Sequence, residues 1–263
     1  MLQPNRAQLV SELEEHFGKR VFLIVYNYLS EPPKGFIEEG DEFYFRQFRD
    51  EVLKKESISD CIVIINGPGG NVKAAIACSE ILRKSLIRYD CFVPTVASSS
   101  LCYFILNSNR VLIGERSVIT QIDPLFYHQG QELRAVEHLN DSNQEIRRLA
   151  HDVFNPTLDN LNRILKNKPH VFEEEVSKQS KHQTRYLGKM VDTWMKKTEH
   201  DAPLTIKDLQ RLKVRFRQVD EEIIFKAKNI INECLKELIE IDKRFVIQTS
   251  KIEEERYFGG YYY

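Results

Sequence analysis

The sequence lacks any long hydrophobic run and any marked excess of charge of one sign. No stretch approaches the roughly 20 apolar residues that a membrane-spanning helix needs. The opening residues, "MLQPNRAQLVSELEEHFGKR", carry acidic side chains and lack the apolar core of a signal peptide. The formal net charge is −1 over 263 residues, which argues against nucleic-acid binding because a phosphate partner usually requires a basic face. The sequence therefore predicts a protein with no membrane span and no nucleic-acid partner.

Metal-binding and redox spacings of cysteine and histidine are also missing. The five cysteines show no CxxC pair, and an odd number of thiols suits a reducing compartment, which predicts a cytoplasmic location. The histidines form no HExxH motif and no Cys/His cluster. We therefore expect no metal and no other cofactor.

What the sequence does contain is an alternation of strand and helix patterns up to about residue 140. The runs "RVFLIVYNYL", "CIVII", "CFVPTVA" and "RVLIGE" are typical of buried strands, and helical patterns separate them. Strands that alternate with helices predict βαβ units with right-handed crossovers. The fold class expected is α/β with a mostly parallel sheet.

Long amphipathic helical patterns dominate after about residue 140. In the helix predicted over residues 219–245, one face is apolar and consists of Ile223, Ile224, Ala227, Ile230, Ile231, Leu235 and Leu238. We expect this face to pack either on the core of the domain or on a neighbouring subunit. The final "YFGGYYY" predicts a flexible tail with exposed aromatic residues.

A glycine-rich turn, "IINGPGGNV", connects the second predicted strand to a helix. Glycine permits positive φ and lets another chain or a ligand approach the backbone closely. Backbone N–H groups at such a turn can converge on an anion or on a developing oxyanion. The spacing matches neither GxGxxG nor GxxxxGK[ST], which disfavours a nucleotide site. A tight turn without further function is the alternative.

A second turn, "VPTVASSSLCYF" at residues 93–104, places three serines at the start of a predicted helix. Ser98 or Ser99 could cap that helix through its hydroxyl group. A serine there could instead act as a nucleophile, because the helix dipole and the first-turn amides stabilise negative charge beside its Oγ. The two turns in this order favour a hydrolytic site more strongly than either turn does alone.

The same motifs carry a resemblance to a known family. The order strand, "PGG", helix, strand, serine turn, helix, strand resembles the Clp protease/crotonase superfamily. Within it the chain is similar to the serine dehydrogenase proteinase family, which is related to signal peptide peptidase A. The matching pieces cover most of residues 9–214 and are "SELEEHFGKRVFLIVY", "GPGGNVKAAIACSEIL", "VPTVASSSLCYFILNSNRVLIGERSVITQIDP" and "TEHDAPLTIKDLQRL".

This resemblance implies three segments. Residues 1–214 would form a Clp/crotonase-like spiral of βαβ units that carries a serine peptidase site. Residues 215–250 would form a helical extension for interaction or oligomerisation, and residues 251–263 the flexible aromatic tail.

The resemblance also assigns catalytic roles. Ser99 falls on the nucleophile of the family, and the amides of Gly69, Gly70 and Ser100 fall on its oxyanion hole. Leu101 stands where the family has a glycine shortly after the serine. We expect its larger side chain to narrow the space beside the hydroxyl group.

The general base is left open by the sequence. Thr120 stands where the Clp subunit has its histidine, and Arg134 where signal peptide peptidase relatives have a lysine; arginine stays protonated and cannot be a base. His200 lies in a family His-Asp-x-Pro motif and could be oriented by Asp123. His138, one helical turn beyond Arg134, is the alternative. Lysines on a nearby helix could also serve, namely Lys166, Lys168 or Lys189.

The leading expectation is thus a serine peptidase, itself independent of ATP, that hydrolyses peptide bonds through a Ser99 acyl-enzyme. The resemblance implies a homo-oligomer that takes peptides or unfolded proteins, with an unfolding or regulatory protein as a further partner. One alternative is a catalytically impaired scaffold that oligomerises and recruits partners. Another is acyl-CoA chemistry, which usually needs pocket carboxylates that "VASSS" does not supply.

Overall fold

A computed structural model describes residues 6–29, 35–86, 88–166, 203–248 and 256–259. The helices of these ranges are α1 (Arg6–Phe17), α2 (Asp41–Phe48), α3 (Val72–Ser85), α4 (Cys102–Leu106), α5 (Ala135–His138), α6 (Gln144–Lys166), α7 (Ile206–Arg211) and α8 (Glu221–Glu240). A π-helical turn (Arg49–Leu53) extends α2, and a 3₁₀ turn (Ser99–Leu101) precedes α4. The strands are β1 (Arg20–Tyr26), β2 (Asp60–Asn66), β3 (Arg88–Val93), β4 (Val96–Ala97), β5 (Val111–Ile113), β6 (Val118–Ile119), β7 (Leu125–His128), β8 (Gln131–Arg134), β9 (Phe216–Gln218), β10 (Phe245–Gln248) and β11 (Arg256–Gly259).

Seven of the strands form one mixed sheet in the order β11-β10-β1-β2-β3-β5-β9. Strands β1, β2, β3, β5 and β9 are parallel, whereas β10 and β11 are antiparallel to their neighbours. The apolar runs of β1 and β2 are buried on both faces, as is typical of strands inside a parallel sheet. The predicted α/β class with a mostly parallel sheet is confirmed.

The sheet separates two apolar clusters because alternate residues of each strand point to opposite faces. Helices α2, α3, α4 and α6 cover one face, and α1 and α8 cover the other. The apolar face predicted for the C-terminal helix lies in the second cluster, where all seven residues are at most 5% exposed. This face therefore packs on the domain's own sheet, and the outward side of α8 carries charged residues together with the exposed Phe225 and Ile239.

The C-terminal part differs from the helical extension expected for residues 215–250. Strands β9 and β10 of this part belong to the main sheet, and β10 pairs with β1. Residues 256–259, in the range expected as a flexible tail, form β11 and pair with β10. The physical reason is that the apolar strand β1 would otherwise expose an unpaired edge, which folded proteins avoid.

None of the helices in the described ranges is both long and apolar enough to cross a bilayer.

Candidate active site

The glycine turn and the serine turn lie at the carboxyl ends of neighbouring strands, and hydrogen bonds join them. The Gly67 N–H donates to the Val96 carbonyl at 3.1 Å, and the Ser98 N–H donates to the Gly67 carbonyl at 3.1 Å. Gly67 and Ala97 thereby form a parallel bridge. The two turns, about thirty residues apart in the sequence, are thus held side by side.

Gly69 makes the closest approach between the two turns. It has φ +101°, and a Cβ atom at this position would lie 2.7 Å from the Ser98 carbonyl oxygen. The same atom would lie 3.0 Å from the Ser99 Cβ and 3.0 Å from the Ser100 amide nitrogen. Both the backbone angle and the lack of space require glycine here.

Gly70 faces a different neighbour, the segment that contains Ile37. At φ +132°, a Cβ on Gly70 would lie 2.5 Å from both the nitrogen and the oxygen of Ile37. The Ile37 N–H donates to the Gly69 carbonyl and the Asn71 N–H donates to the Ile37 carbonyl, each at 2.7 Å. Asn71 in turn caps α3 by accepting the Ala74 N–H at 3.0 Å. The glycine turn is therefore packed between the serine turn and residues 35–38.

Ser99 has a left-handed backbone, with φ +51°. Such angles are uncommon for residues other than glycine and cluster at functional sites. The Ser99 N–H donates to Thr120 Oγ1 at 3.0 Å, which holds the strained residue in place. Ser98, at the position before the 3₁₀ turn, makes no side-chain cap, so the capping interpretation finds no support there.

Three amide donors of the glycine turn and the serine turn have no acceptor among the described residues. Within the described residues, the N–H groups of Gly69, Gly70 and Ser100 donate no hydrogen bond to the protein. The Ser100 hydroxyl group is buried and also has no hydrogen-bond partner among these residues. Backbone donors of this kind, fixed in place before a reaction, are what stabilisation of a developing oxyanion requires.

Leu101, which is expected to narrow the space beside the Ser99 hydroxyl group, lies two residues after Ser99 at the end of the 3₁₀ turn. It is fully buried in the core, and its Cδ1 would lie 3.1 Å from a Cβ on Gly67. The side chain thus packs against the glycine turn, and its effect on the space beside the serine stays a prediction.

Cys102 is the other nucleophilic side chain near this turn. Its thiol is fully buried and contacts the Thr120 carbonyl at 3.1 Å. Burial raises the pKa of the Cys102 thiol far above its usual range. A buried thiol of high pKa is chemically inert, so Ser99 is the better candidate nucleophile.

Asp123 and Arg134 form an ion pair on the segment that follows Thr120. The Asp123 side chain is fully buried and accepts a hydrogen bond from Arg134 Nε. Arg134 also contacts Glu137, at 2.6 Å from its Nη1 to the carboxylate. Arg134, which stands where relatives have a lysine, is thus paired with two carboxylates. Asp123, which was expected to orient a histidine, is one of them.

His138, the alternative base, has partners of its own. Its Nδ1 lies 2.8 Å from Asp141 Oδ2, and its ring packs edge-on against Phe126. The hydrogen bond with His138 is the main cause that lowers the pKa of Asp141. Within the described residues, neither His138 nor any other side chain hydrogen-bonds to Ser99 Oγ.

His200 and Asp201 lie outside the described residues, as do Lys168 and Lys189. The chain is described again from Pro203, which forms an antiparallel bridge with Thr120. Leu204, which follows, donates its N–H to the Ile119 carbonyl at 2.6 Å. The segment that carries the His-Asp-x-Pro motif therefore continues into a strand-like contact beside the residue that holds the Ser99 amide.

Thr120 itself is a site residue whose role the sequence did not reveal. The only signal was its position, which matches the histidine of the Clp subunit. A side-chain hydroxyl group that accepts a backbone N–H from a residue 21 positions away leaves no periodicity in the sequence.

The described residues contain no group of three His, Cys, Asp or Glu side chains that could hold a metal ion.

No protein-family model and no curated protein sequence matches the chain. The solved structures that are similar to it include two of one protease. One is the 1510-N membrane-bound stomatin-specific protease with a serine replaced by alanine, at a TM-score of 0.47 and 13% identity, covering 74% of this chain and 81% of that chain. The other is the same protease with a lysine replaced by alanine, in complex with a substrate peptide, at a TM-score of 0.45 and 14% identity, covering 74% and 76%. Membership of the serine dehydrogenase proteinase family stays a prediction.

Proposed function

We propose that this protein is a serine peptidase in which Ser99 is the nucleophile. The observation that carries the proposal is the close packing of the two turns at Gly69, where a single added carbon would meet all three serines of the serine turn. The left-handed φ of Ser99 and the unused amide donors beside it support the same conclusion. Ser57, in an exposed turn, has the same φ, so the backbone angle of Ser99 supports the proposal only together with the packing at Gly69 and the unused donors.

The reaction follows from these positions. Ser99 Oγ attacks the carbonyl carbon of a peptide bond while a base takes its proton. The tetrahedral oxyanion is stabilised by the N–H groups of Gly69, Gly70 and Ser100. The C–N bond breaks, the proton passes to the departing amine, and an acyl-enzyme remains. Water then attacks the ester and releases the acid, and the proton returns to Ser99.

We assign the base to His200. Three residues of chain connect it to Pro203, a span of at most about 11 Å. Pro203 bridges Thr120, whose hydroxyl group accepts the Ser99 N–H, so the described chain that follows this histidine lies beside the serine turn. Asp123 lies on the segment that follows Thr120 and was expected to orient the histidine. Because it forms an ion pair with Arg134, its main role is to position that arginine.

A fluorophosphonate probe tests the proposal, because it forms a covalent bond only with an activated serine. We expect the purified protein to be labelled once, at Ser99, and Ser99→Ala to remain unlabelled. Ser98→Ala is the matched control, since it removes the neighbouring hydroxyl group and should leave labelling intact. His200→Ala should slow labelling strongly. A folded wild-type protein that is not labelled, or labelling that survives Ser99→Ala, would refute the assignment.

A catalytically impaired scaffold is the second candidate. It is favoured by the ion pairs of Arg134 in the predicted lysine position, since this cation cannot accept the serine proton. The scaffold interpretation expects no labelling of any serine in the folded protein. It also expects the chain to bind a partner, and removal of residues 251–263 should abolish that binding.

Assembly into a homo-oligomer, peptide or unfolded-protein substrates and a cytoplasmic location stay part of the proposal. Sedimentation of the purified chain would measure the oligomer directly.

A further inference from the structure

Arg244 stands immediately before β10 and is almost completely buried, with 5% of its side chain exposed. Its Nη1 donates to the Phe36 carbonyl at 2.7 Å. Its Nη2 forms an ion pair with Asp41, whose side chain is fully buried. The other oxygen of Asp41 accepts the Glu38 N–H at 3.0 Å. One guanidinium group therefore binds the chain on both sides of Ile37.

Ile37 is the residue that pairs with the glycine turn. Its N–H and its carbonyl bind the residues on either side of Gly70, each at 2.7 Å. Gly70 fits so closely against it that a Cβ would lie 2.5 Å from its backbone. Any displacement of residues 36–38 therefore displaces the glycine turn. Arg244 is 203 residues from Asp41 in the sequence but is separated from Gly70 by a single layer of backbone.

The neighbouring strand fixes Arg244 in turn. Its carbonyl accepts the Asn27 N–H at 2.7 Å, directly after β1. Its guanidinium group also lies 5.8 Å from the centre of the Phe245 ring, and Phe245 opens the strand that pairs with β1. The C-terminal strand thus fixes the position of the Arg244 guanidinium group. This group in turn fixes residues 36–38 against the glycine turn.

We propose that Arg244 is a positioning residue for the oxyanion donors of the glycine turn, acting through Phe36, Ile37 and Asp41. The catalytic meaning of this positioning rests on the proposed function. Lysine cannot replace the arginine, because an ammonium group lacks the planar fork that binds a carbonyl and a carboxylate at once.

We call the contacts by which Arg244 holds residues 36–38 against the glycine turn the clamp. Hydrogen exchange tests the clamp without reference to activity. In Arg244→Lys we expect the Ile37 and Asn71 amides, which bind across the two segments, to exchange at least 10-fold faster, with the amides of β2 unchanged. Arg20→Lys is the matched control, since it alters another part-buried arginine that pairs with Glu14 and Glu56 at the opposite end of β1. Unchanged exchange at Ile37 and Asn71 in folded Arg244→Lys would overturn the inference.

The catalytic consequence is measured on the same variants. The rate constant of fluorophosphonate labelling should fall by roughly 10- to 100-fold in Arg244→Lys, as expected when oxyanion donors are displaced. With a peptide substrate, kcat should fall and KM should stay the same. Equal loss in Arg20→Lys would show a general effect of stability and would contradict the assignment.

Asp41→Asn provides a second variant should Arg244→Lys fail to fold. It removes the charge but keeps an oxygen that can accept hydrogen bonds, and we expect smaller changes in the same direction. Wild-type exchange rates in this variant would also overturn the clamp. A wild-type protein that cannot be labelled would refute the peptidase proposal, while the exchange experiment would still decide whether Arg244 holds the turn.

Discussion

The backbone strain at Ser99 can be measured by replacing this residue with glycine and with alanine. Both variants lack the hydroxyl group, but alanine keeps a Cβ at φ +51° and glycine does not. The left-handed conformation costs an L-residue about 1–2 kcal/mol. The greater freedom of glycine in the unfolded chain offsets about 0.4–1 kcal/mol of that gain. We therefore expect Ser99→Gly to be about 0.8 kcal/mol more stable than Ser99→Ala, the middle of the range that these two effects give.

Urea denaturation measures this difference directly, and for a chain of this size it corresponds to a rise in Tm of about 1–4 °C. Two other serines serve as controls. Ser57 is exposed and also has φ +51°, so Ser57→Gly should stabilise the protein relative to Ser57→Ala. Ser98 is extended, with φ −104°, so Ser98→Gly should be less stable than Ser98→Ala. If Ser99→Gly is no more stable than Ser99→Ala, the serine is not strained, and the argument from its backbone to its function fails.

Other variants test the contacts around the site. Thr120→Val leaves the Ser99 amide unpaired and should lower the free energy of unfolding by about 1–3 kcal/mol. It should also slow probe labelling, whereas Thr120→Ser should keep the wild-type stability in urea titrations and the wild-type labelling rate. Arg134→Met removes the ion-pair partner of the buried Asp123 and should cost about 3–5 kcal/mol; calorimetry should show much of this recovered when Asp123→Asn is added, and no recovery would contradict the pairing. Gly70→Ala should destabilise the protein more than Gly40→Ala in the same titration, because both have left-handed φ but only Gly70 has backbone atoms within 4 Å of the added carbon.

The central sheet and the meeting of the two turns could be predicted from the sequence, because each rests on a local signal. Strands β1 and β2 are continuous apolar runs, and the carboxyl ends of adjacent parallel strands must lie at one edge of the sheet. The glycines at 69 and 70 mark positions where the backbone approaches another segment.

The C-terminal strands and the clamp formed by Arg244 could not be predicted from the sequence. Strand β10 has four residues and β9 has three, which is too short for a period of two to appear. Their stability comes from partners far away in the sequence rather than from their own residues. Arg244 and Asp41 resemble ordinary surface charges until the fold buries them together.

The pairing of β1 with β10 has a consequence for how this protein is made. The residues that meet in this pair are about 220 positions apart, and ribosomes add about 5–20 residues each second. One flank of a strongly apolar strand therefore waits for roughly 10–45 s before its natural neighbour is synthesised. During that interval the nascent chain exposes an unpaired apolar strand edge to other polypeptides. Protection by a chaperone would matter most at this stage.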